Sequence, residues 1–375
     1  MGQSVLIAAF SGRALAQSAR RAGFEPLVVD AFGDLDTRQA AADFRVVDGA
    51  MQRGFNTKSV VAALEALATA ARVYPIGLIL GSGFEDKPRL VVSLAKRFRL
   101  LGCSPETIAA SKDPATFFAT LDKLNVPHPE TRLTPPDHPV DAWLTKRTGG
   151  SGGRHIRVFR AGVASRRRRY FQKQLAGERL SIGGLFAPGG AEFAPTRQWI
   201  SPSTQNPFRF GGAVSMPEID ASLYRRLAEA ASQVGTALGL VGMASFDFIV
   251  ANGQPHLLEV NSRPGASLDV LDDAHGRLFA GHIAACLGTP MPAAVRSNRP
   301  ARAMAVLHAD RGPLTLGDIP WPDWSADRGT PGTFVPRGAP LATAFADAPT
   351  ADEAQRLAAV RLAELEDLIY GHSKS

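Results

Sequence analysis

The stretch FDFIVANGQPHLLEVNSR, residues 246–263, decides how the fold is interpreted. Apolar runs at Phe246–Val250 and His256–Val260 flank the dipeptide Asn252-Gly253. Asn-Gly between two apolar runs favours a two-residue β-hairpin turn, because both residues accept the positive φ angles that such a turn needs. The stretch therefore predicts two antiparallel strands joined by a tight turn.

Three polar residues with oxygen-bearing side chains lie on this predicted hairpin. Glu259 and Asn261 are two positions apart on the second strand, so their side chains point to the same face. Antiparallel pairing can bring Asp247 of the first strand towards Glu259. Hard oxygen ligands on one face suit Mg²⁺, which proteins hold through one or two carboxylates and substrate phosphates. The alternative is a set of polar groups on a solvated face, but the apolar neighbours of Glu259 favour a metal site.

Arg263 follows the predicted metal ligands by two positions. A guanidinium group there can hold a transferring phosphoryl group or a developing oxyanion through paired N–H donors. The alternative is an ordinary turn arginine, since Pro264 and Gly265 come next. Its position directly after the predicted ligands favours a functional role.

A second motif, KRTGGSGGR at residues 146–154, has four glycines in five positions. Glycine backbones can approach phosphate oxygens closely and donate N–H groups to them. Lys146, at the end of the preceding predicted strand, can neutralise phosphate charge. The motif is not a P-loop, because it lacks Gly-Lys-Ser/Thr and no helix follows it. From this motif alone, a flexible hairpin tip explains the glycines equally well.

The first hundred residues alternate predicted strands and helices. Apolar strand-like runs lie at Ser4–Phe10, Pro26–Val29, Phe44–Val47 and Ile76–Leu80. This alternation predicts a parallel sheet with helices on both faces, and such sheets bind ligands at the carboxyl ends of their strands. The loops Ser11–Arg13 and Gly81–Asp86 are expected there. The first loop lacks GxGxxG, which disfavours a nicotinamide site, and Asp30 after the second strand is interpreted as a solvated loop acid.

A second unit is expected after the parallel sheet. Asp113-Pro114 predicts the N-cap and first turn of a helix that reaches about Leu124. Further along the chain, Ala303–His308 predicts a strand, and a stretch rich in Pro, Gly and Trp at Gly312–Pro340 precedes a closing helix at Asp352–Tyr370. These last residues predict a small appended β-rich unit and one helix.

The composition is that of a globular protein. The 375 residues are 45% hydrophobic and 21% charged, which excludes disorder as the main state. No run approaches the ~20 apolar residues that span a bilayer, and the two cysteines form no CxxC, so a cytoplasmic protein without membrane association is expected. Lys+Arg total 42 against 35 acidic residues, a net charge of +7. This thin excess, with 7% aromatic residues, disfavours a nucleic-acid partner and favours anionic small molecules.

Together these motifs resemble the ATP-grasp superfamily of carboxylate–amine ligases. The resemblance covers about residues 111–288 and is most specific at Gly242–Val250 and Leu257–Ser267. It implies an α/β protein with three parts. These are an N-terminal doubly wound parallel-sheet pre-grasp domain at residues 1–108, a central ATP-grasp domain of two α+β subdomains at residues 109–295, and a small C-terminal β-rich extension at residues 296–375.

The resemblance also implies ATP and Mg²⁺ as cofactors and assigns roles to particular residues. Binding of the ATP phosphates falls to Lys112, Lys146, Gly149, Gly150, Ser151, Gly152 and Gly153. Binding of adenine and ribose is assigned to the segment FQKQLAGE, residues 171–178, through Gln174, Leu175 and Glu178. The Mg²⁺ ligands are Asp247, Glu259 and Asn261. Arg263 holds the acyl phosphate, and Arg263 and Lys146 are the candidate catalytic residues.

Within the superfamily the chain is most similar to ligases linked to tetrahydromethanopterin and methanofuran one-carbon metabolism, including tyramine–glutamate ligase. Gly81–Glu85, Lys112–Pro114 and Glu259–Asp269 carry this similarity. It implies amide formation between a small-molecule carboxylate and an amine, with glutamate as a candidate substrate. The alternatives are a carboxylase-like enzyme that uses bicarbonate and a nucleotide-binding module without turnover. Dimers are common in the superfamily, so a homodimer is a candidate assembly. The run Arg166–Arg169 is expected to be solvated, with attraction of an acidic substrate as the alternative.

Overall fold

The computed structural model describes residues 2–137, 142–160, 168–292 and 299–374. Its helices are α1 (Arg13–Arg21), α2 (Leu35–Ala40), α3 (Ala50–Arg53), α4 (Thr57–Ala70), α5 (Pro88–Ala95), α6 (Pro105–Lys112), α7 (Pro114–Lys123), α8 (Ala221–Leu238), α9 (Leu268–Leu271), α10 (Arg277–Leu287) and α11 (Ala351–Gly371). Among these helices, none is both long and apolar enough to cross a membrane.

The strands follow the same numbering from the N-terminus. They are β1 (Ser4–Ala8), β2 (Glu25–Asp30), β3 (Asp43–Val46), β4 (Leu78–Leu80), β5 (Thr131–Arg132), β6 (Trp143–Arg147), β7 (Arg157–Val158), β8 (Arg169–Lys173), β9 (Glu178–Ala187), β10 (Gly190–Ile200), β11 (Phe210–Ser215), β12 (Gly242–Ala251), β13 (Gln254–Asn261), β14 (Ala301–His308), β15 (Leu314–Thr315), β16 (Ser325–Ala326), β17 (Phe334–Val335) and β18 (Pro340–Ala348).

The N-terminal strands form the parallel sheet that the sequence predicts. The strand order is β3-β2-β1-β4, and every pairing is parallel. Every residue of β1 is buried, as expected for a strand covered by helices on both faces. The carboxyl ends of β1, β2 and β4 therefore open onto one edge, where three loops meet.

The predicted hairpin is formed by β12 and β13, which pair antiparallel around Asn252 and Gly253. Both turn residues have positive φ, 49° and 73°, as the Asn-Gly pattern requires. In this register Asp247 lies directly opposite Glu259. The hairpin forms one edge of an eight-stranded sheet with the order β13-β12-β9-β10-β11-β14-β18-β16.

A smaller antiparallel sheet, ordered β5-β8-β6-β7, carries the glycine-rich motif. The motif lies in the connection between β6 and β7, so Lys146 is fixed within β6 while the glycines project beyond it. The helix predicted after Asp113 is confirmed as α7: the Asp113 carboxylate accepts a hydrogen bond from the Thr116 backbone N–H at 2.9 Å.

The C-terminal extension is β-rich, as predicted, and it is built into the central sheet. β14 pairs with β11, β18 pairs with β14, and β16 pairs with β18. Helix α11 covers these strands through buried alanines at positions 354 and 358. The predicted limits of the three parts remain predictions, and the last of them falls at residues 293–298, outside the described residues.

Candidate functional site

A cavity of about 480 Å³ lies where the loops of the parallel sheet, the glycine-rich loop and the central sheet meet. The predicted site residues that line it are Lys146, Ser151, Gly152, Gly153, Asp247, Glu259, Asn261 and Arg263. These residues come from three separate parts of the sequence. The structure therefore brings the predicted phosphate and metal motifs to one place.

Asp247 and Glu259 are held together by a shared amide. The Asn261 side-chain N–H group donates to Asp247 Oδ2 at 3.2 Å and lies 3.4 Å from Glu259 Oε1. Gln198 on β10 donates from Nε2 to Asp247 Oδ1 at 3.1 Å. The two carboxylates and the Asn261 side chain thus lie together on one side of the hairpin and line the cavity, as the strand alternation predicts.

The electrostatics of this pair fit a divalent cation. Desolvation and the neighbouring Glu259 carboxylate raise the pKa of Asp247. Desolvation also acts on Glu259, but Lys112, His155 and Lys146 outweigh it and lower the pKa of that carboxyl. Two partly buried carboxylates in contact need a compensating cation, and Mg²⁺ prefers such oxygen donors. Among the described residues, no group of three or more His, Cys, Asp or Glu side chains could hold a metal ion. This site has two carboxylates and one amide.

Two lysines flank the carboxylates. Lys112, the last residue of α6, donates from Nζ to Asn261 Oδ1 at 2.9 Å and lies 4.0 Å from a Glu259 oxygen. Lys146 is buried and donates to the Gln172 side-chain oxygen at 2.6 Å. Burial lowers the pKa of Lys146 to about 8, because removal from water disfavours the ammonium form.

The glycine-rich loop is shaped by close backbone contacts. Gly149 and Gly153 have φ of +72° and +71°. A Cβ atom on Gly149 would lie 2.7 Å from the Glu85 carbonyl oxygen, and one on Gly153 only 1.8 Å from the Phe208 carbonyl oxygen. A Cβ on Gly150 would lie 2.2 Å from the His155 ring. The loop is therefore packed against its neighbours and is not a free hairpin tip.

Arg263 contacts a loop of the parallel sheet that sequence analysis did not connect with it. Its Nε group donates to Glu85 Oε1 at 2.7 Å, and Nη1 donates to the Pro264 carbonyl at 3.1 Å. The other Glu85 oxygen accepts the backbone N–H groups of Gly83 and Phe84. Despite burial, Arg263 and Lys112 hold the pKa of Glu85 below its usual value.

The predicted adenine and ribose residues lie apart from the described cavity lining. Gln174 and Leu175 are in the connection from β8 to β9, and Glu178 is the exposed first residue of β9. The Gln174 backbone N–H donates to the Ala142 carbonyl at 2.8 Å. Gly149 and Gly150 are also outside the lining. The roles of these residues remain predictions.

The interpretation of Asp30 as a solvated acid is wrong. Asp30 is fully buried, and its carboxylate accepts backbone N–H groups from Gly12, Phe32 and Gly33. Burial and the neighbouring Asp34 raise its pKa to about 7. Asp30 therefore ties together the loops that follow β1 and β2. In the basic run at 166–169, Arg166 and Arg167 lie outside the described residues.

Sequence reasoning assigned no individual role to four side chains at the site: Gln172, Gln198, His155 and Glu85. His155 lines the cavity and has a buried Nδ1 atom without a hydrogen-bond partner. Its position after the glycine-rich loop was the available signal. Glu85 lies in the loop Gly81–Asp86, which the sequence analysis placed at the carboxyl ends of the strands without a role for this side chain. Gln198 lies on a strand that the sequence analysis did not predict.

Comparison with known proteins is consistent with this geometry. Residues 111–267 match the family model of the ATP-grasp domain. A curated D-alanine–D-alanine ligase from Flavobacterium psychrophilum is 44% identical over 41 residues. That alignment covers 11% of this chain and only 12% of that enzyme.

Solved structures resemble almost the whole chain. One of them is the biotin carboxylase domain of Hydrogenobacter thermophilus 2-oxoglutarate carboxylase, a dimer solved with MgADP, ADP and bicarbonate. The match has a TM-score of 0.71 and a sequence identity of 13%. It covers 96% of this chain and 89% of the carboxylase chain. The N5-carboxyaminoimidazole synthetase of Staphylococcus aureus, solved with ADP, has a TM-score of 0.67 and 13% identity, covering 96% and 98%. At these identities the likeness establishes the fold.

Proposed function

We propose that the protein is an ATP- and Mg²⁺-dependent ligase that joins a carboxylate to an amine, on the ground that residues 111–267 match the family model of the ATP-grasp domain. One observation supports this most directly. The paired carboxylates Asp247 and Glu259, with Asn261, share a cavity with the buried Lys146 and with Arg263. This set supplies metal ligands, phosphate charge neutralisation and an oxyanion donor in one place.

The proposed reaction has two steps. First, an oxygen of the substrate carboxylate attacks the γ-phosphorus of ATP, the bond to the β-phosphate oxygen breaks, and an acyl phosphate and ADP form. Second, the amine attacks the acyl carbon, phosphate leaves with its bonding electrons, and the nitrogen loses a proton to give the amide. Neither step needs an enzyme nucleophile, so the protein contributes positioning and charge neutralisation.

The residues take the following parts. Asp247, Glu259 and Asn261 hold Mg²⁺, which neutralises phosphate charge when bound. Lys112 and Lys146 hold phosphate oxygens, and Arg263 holds the acyl phosphate. The loop residues from Gly149 to Gly153 cover the phosphates and exclude water that would hydrolyse the intermediate. Gln174 and Leu175 contact adenine, and Glu178 contacts the ribose.

A finer proposal concerns the substrates and setting. The similarity at Gly81–Glu85 and Glu259–Asp269 supports glutamate ligation in methanofuran or tetrahydromethanopterin biosynthesis. The substrates are then a small carboxylate and a small amine, with no nucleic acid and no membrane involved. A cytoplasmic homodimer is part of the same proposal.

A second candidate is a carboxylase-like reaction with bicarbonate as the acid. The observation that favours it is the likeness to carboxylases across the C-terminal extension as well as the ATP-grasp domain. Bicarbonate-dependent ADP release without an added amine distinguishes this candidate from the ligase.

The experiment combines MgATP with a grid of carboxylates, including glutamate, tyrosine and bicarbonate, and hydroxylamine as a general nucleophile. A carboxylate that forms the acyl phosphate yields a hydroxamate and releases ADP. Tyramine then replaces hydroxylamine to test amide formation. The matched control is Glu259→Gln, which keeps the side-chain size but removes one charge of the metal site.

A carboxylate-dependent hydroxamate that is lost in the control supports the ligase. ADP release with bicarbonate alone supports the carboxylase-like candidate. Mg²⁺-dependent ATP binding without turnover across the grid supports a nucleotide-binding module and contradicts the ligase.

A further inference from the structure

The cavity continues past the carboxylate pair into a second lobe between the N-terminal sheet and the C-terminal extension. Apolar side chains line it from both sides: Phe10, Leu15 and Phe32 from the N-terminal unit, and Val306, Leu316 and Leu341 from the extension. We name this part of the cavity the acceptor lobe. Arg263 and Lys146 line the same cavity.

The two walls of the acceptor lobe are fixed to each other by hydrogen bonds and an ion pair. Arg328 of the extension forms an ion pair with the buried carboxylate of Asp36 at 2.6 Å. The Leu35 backbone N–H donates to the Arg328 carbonyl at 2.8 Å. Arg13, at the start of α1, donates from Nε to Asp327 at 2.9 Å. These contacts hold the apolar walls at a fixed separation.

The charges in this lobe are unbalanced. Among the described residues of its lining, Arg13 faces three carboxylates: Asp34, Asp269 and Asp327. The guanidinium makes a two-pronged contact with Asp269 and uses Nε and Nη2 on Asp327. Its donors are therefore occupied by protein carboxylates. A phosphate or carboxylate of a ligand would meet excess negative charge there.

The carboxylate without an arginine partner is Asp34. It is buried and accepts the backbone N–H and the hydroxyl of Thr37. Burial, and after it the nearby Asp327 carboxylate, raise the pKa of Asp34, while Arg13 acts in the opposite direction.

The cavity limits the size of the occupant. β1 lies between β2 and β4, and neighbouring strands are about 4.8 Å apart, so the carboxyl ends of β2 and β4 are separated by roughly 10 Å. The cavity that these ends border has a volume of about 480 Å³. A short organic molecule fits this space.

We propose that the acceptor lobe binds the amine substrate, and that this amine has an apolar body, carries no anionic group and is favoured by a second cation at its far end. The proposal rests on the proposed ligase function. The apolar walls accept the body, the reacting nitrogen lies towards Arg263, and the carboxylates of Asp34 and Asp327 attract the far end. Ribonucleotide and amino-acid acceptors are excluded by the same charges.

The test is binding of three amines with one skeleton, measured by ligand-detected NMR titration of the full chain with MgADP present. The probes are 1-aminopentane, 1,5-diaminopentane and 5-aminopentanoate. We expect 1,5-diaminopentane to bind most tightly and 1-aminopentane to bind second. The affinity for 5-aminopentanoate should be at least about tenfold lower than that for 1-aminopentane, because its carboxylate would contact the carboxylates of the lobe. Binding needs no turnover, so this result is independent of the ligase test.

Asp34→Asn keeps the helix-capping oxygen but removes the charge, and is expected to abolish the preference for the diamine over the monoamine. Asp323→Asn on the exposed surface of the extension is the control and should leave the order unchanged. Equal or tighter binding of 5-aminopentanoate, or absence of binding by all three probes, overturns the proposal.

Discussion

Asp247 and Glu259 face each other across β12 and β13, and their proximity has an electrostatic cost. Two carboxylates that share one donor, Asn261, repel each other, and burial together with this repulsion raises the pKa of Asp247. The lysines at 112 and 146 compensate in part. Such an arrangement is stabilised by a cation and weakened by its removal, so metal binding and nucleotide binding should be coupled.

Glu259→Gln is therefore expected to weaken Mg²⁺-dependent ATP binding by at least about tenfold, since even partners of metal ligands cost this much when they are replaced. Titration calorimetry of MgATP and of ATP with EDTA measures the effect. Asp323→Asn serves as the surface control. Equal affinities for MgATP in Glu259→Gln and the parent would contradict the metal assignment.

Lys146 predicts a pH dependence. The ammonium form binds phosphate, and burial lowers the pKa of this group to about 8 in the ligand-free protein. The value of kcat/KM for ATP should therefore fall as the pH rises through about 8. Lys146→Arg keeps the charge to higher pH and should remove that fall. A fall at the same pH in the variant would show that another group titrates.

Sequence reasoning succeeds at residues whose chemistry follows from local pattern. The strand alternation and the Asn-Gly turn are local, and they placed Asp247, Glu259 and Asn261 on one face. The contacts of Arg263 with Glu85 and of Gln198 with Asp247 join positions that are 178 and 49 apart in sequence, and no local pattern records them.

The glycine-rich loop between β6 and β7 is the element whose shape matters most to the site. Gly153→Ala places a methyl group against the Phe208 carbonyl oxygen, which is backbone and cannot move aside cheaply. Displacement of the loop should raise KM for ATP on the order of tenfold or more.

Gly288→Ala is the matched control for that substitution. Gly288 follows α10, outside the cavity lining, and has a similar φ of +70° but open space around its Cβ position. It carries only the left-handed backbone cost, about 1–2 kcal/mol. Similar KM values for the two variants would show that the contact with Phe208 is not what shapes the loop.

Two long strands, β9 and β10, were not predicted, for identifiable reasons. β9 contains Gly183 and Gly184, which interrupt its apolar pattern; their missing side chains leave room for Leu271 and for the rings of Phe186 and Phe193. β10 contains Pro195, which normally disfavours a central strand. The pairing of β10 with β11 begins only at Thr196, so the missing N–H of Pro195 breaks no bond between them.

Arg13 connects the N-terminal unit with both the central part and the C-terminal extension. Arg13 is 4% exposed and lies between Asp269 and Asp327. Removing one partner from a buried ion pair leaves the other charge uncompensated.

Arg13→Gln is expected to lower the free energy of unfolding by about 3 kcal/mol, measured by urea denaturation. Arg311→Gln is the control: this arginine pairs with Glu366 and Asp367 on the surface, and its loss should leave the midpoint unchanged. Equal effects of the two substitutions would contradict a structural role for the buried cluster.

The extension was predicted as an appended unit because its sequence is rich in turns. Its strand Ala301–His308 is apolar enough to be recognised, but its partner is chosen by tertiary contacts. Register between β14 and β11 joins positions such as Ala305 and Gly212, which no short-range pattern connects.

The ion pair between Arg13 and Asp327 also has a consequence for synthesis on the ribosome. These residues are 314 positions apart, and translation adds about 5–20 residues per second, so Arg13 emerges roughly 15–60 s before its partner. During that interval the cavity wall that contains Phe10 and Phe32 lacks its opposing wall, because the residues of the extension have not yet been synthesised. The nascent chain therefore exposes this half of the cavity lining to water until the strands of the extension have been synthesised.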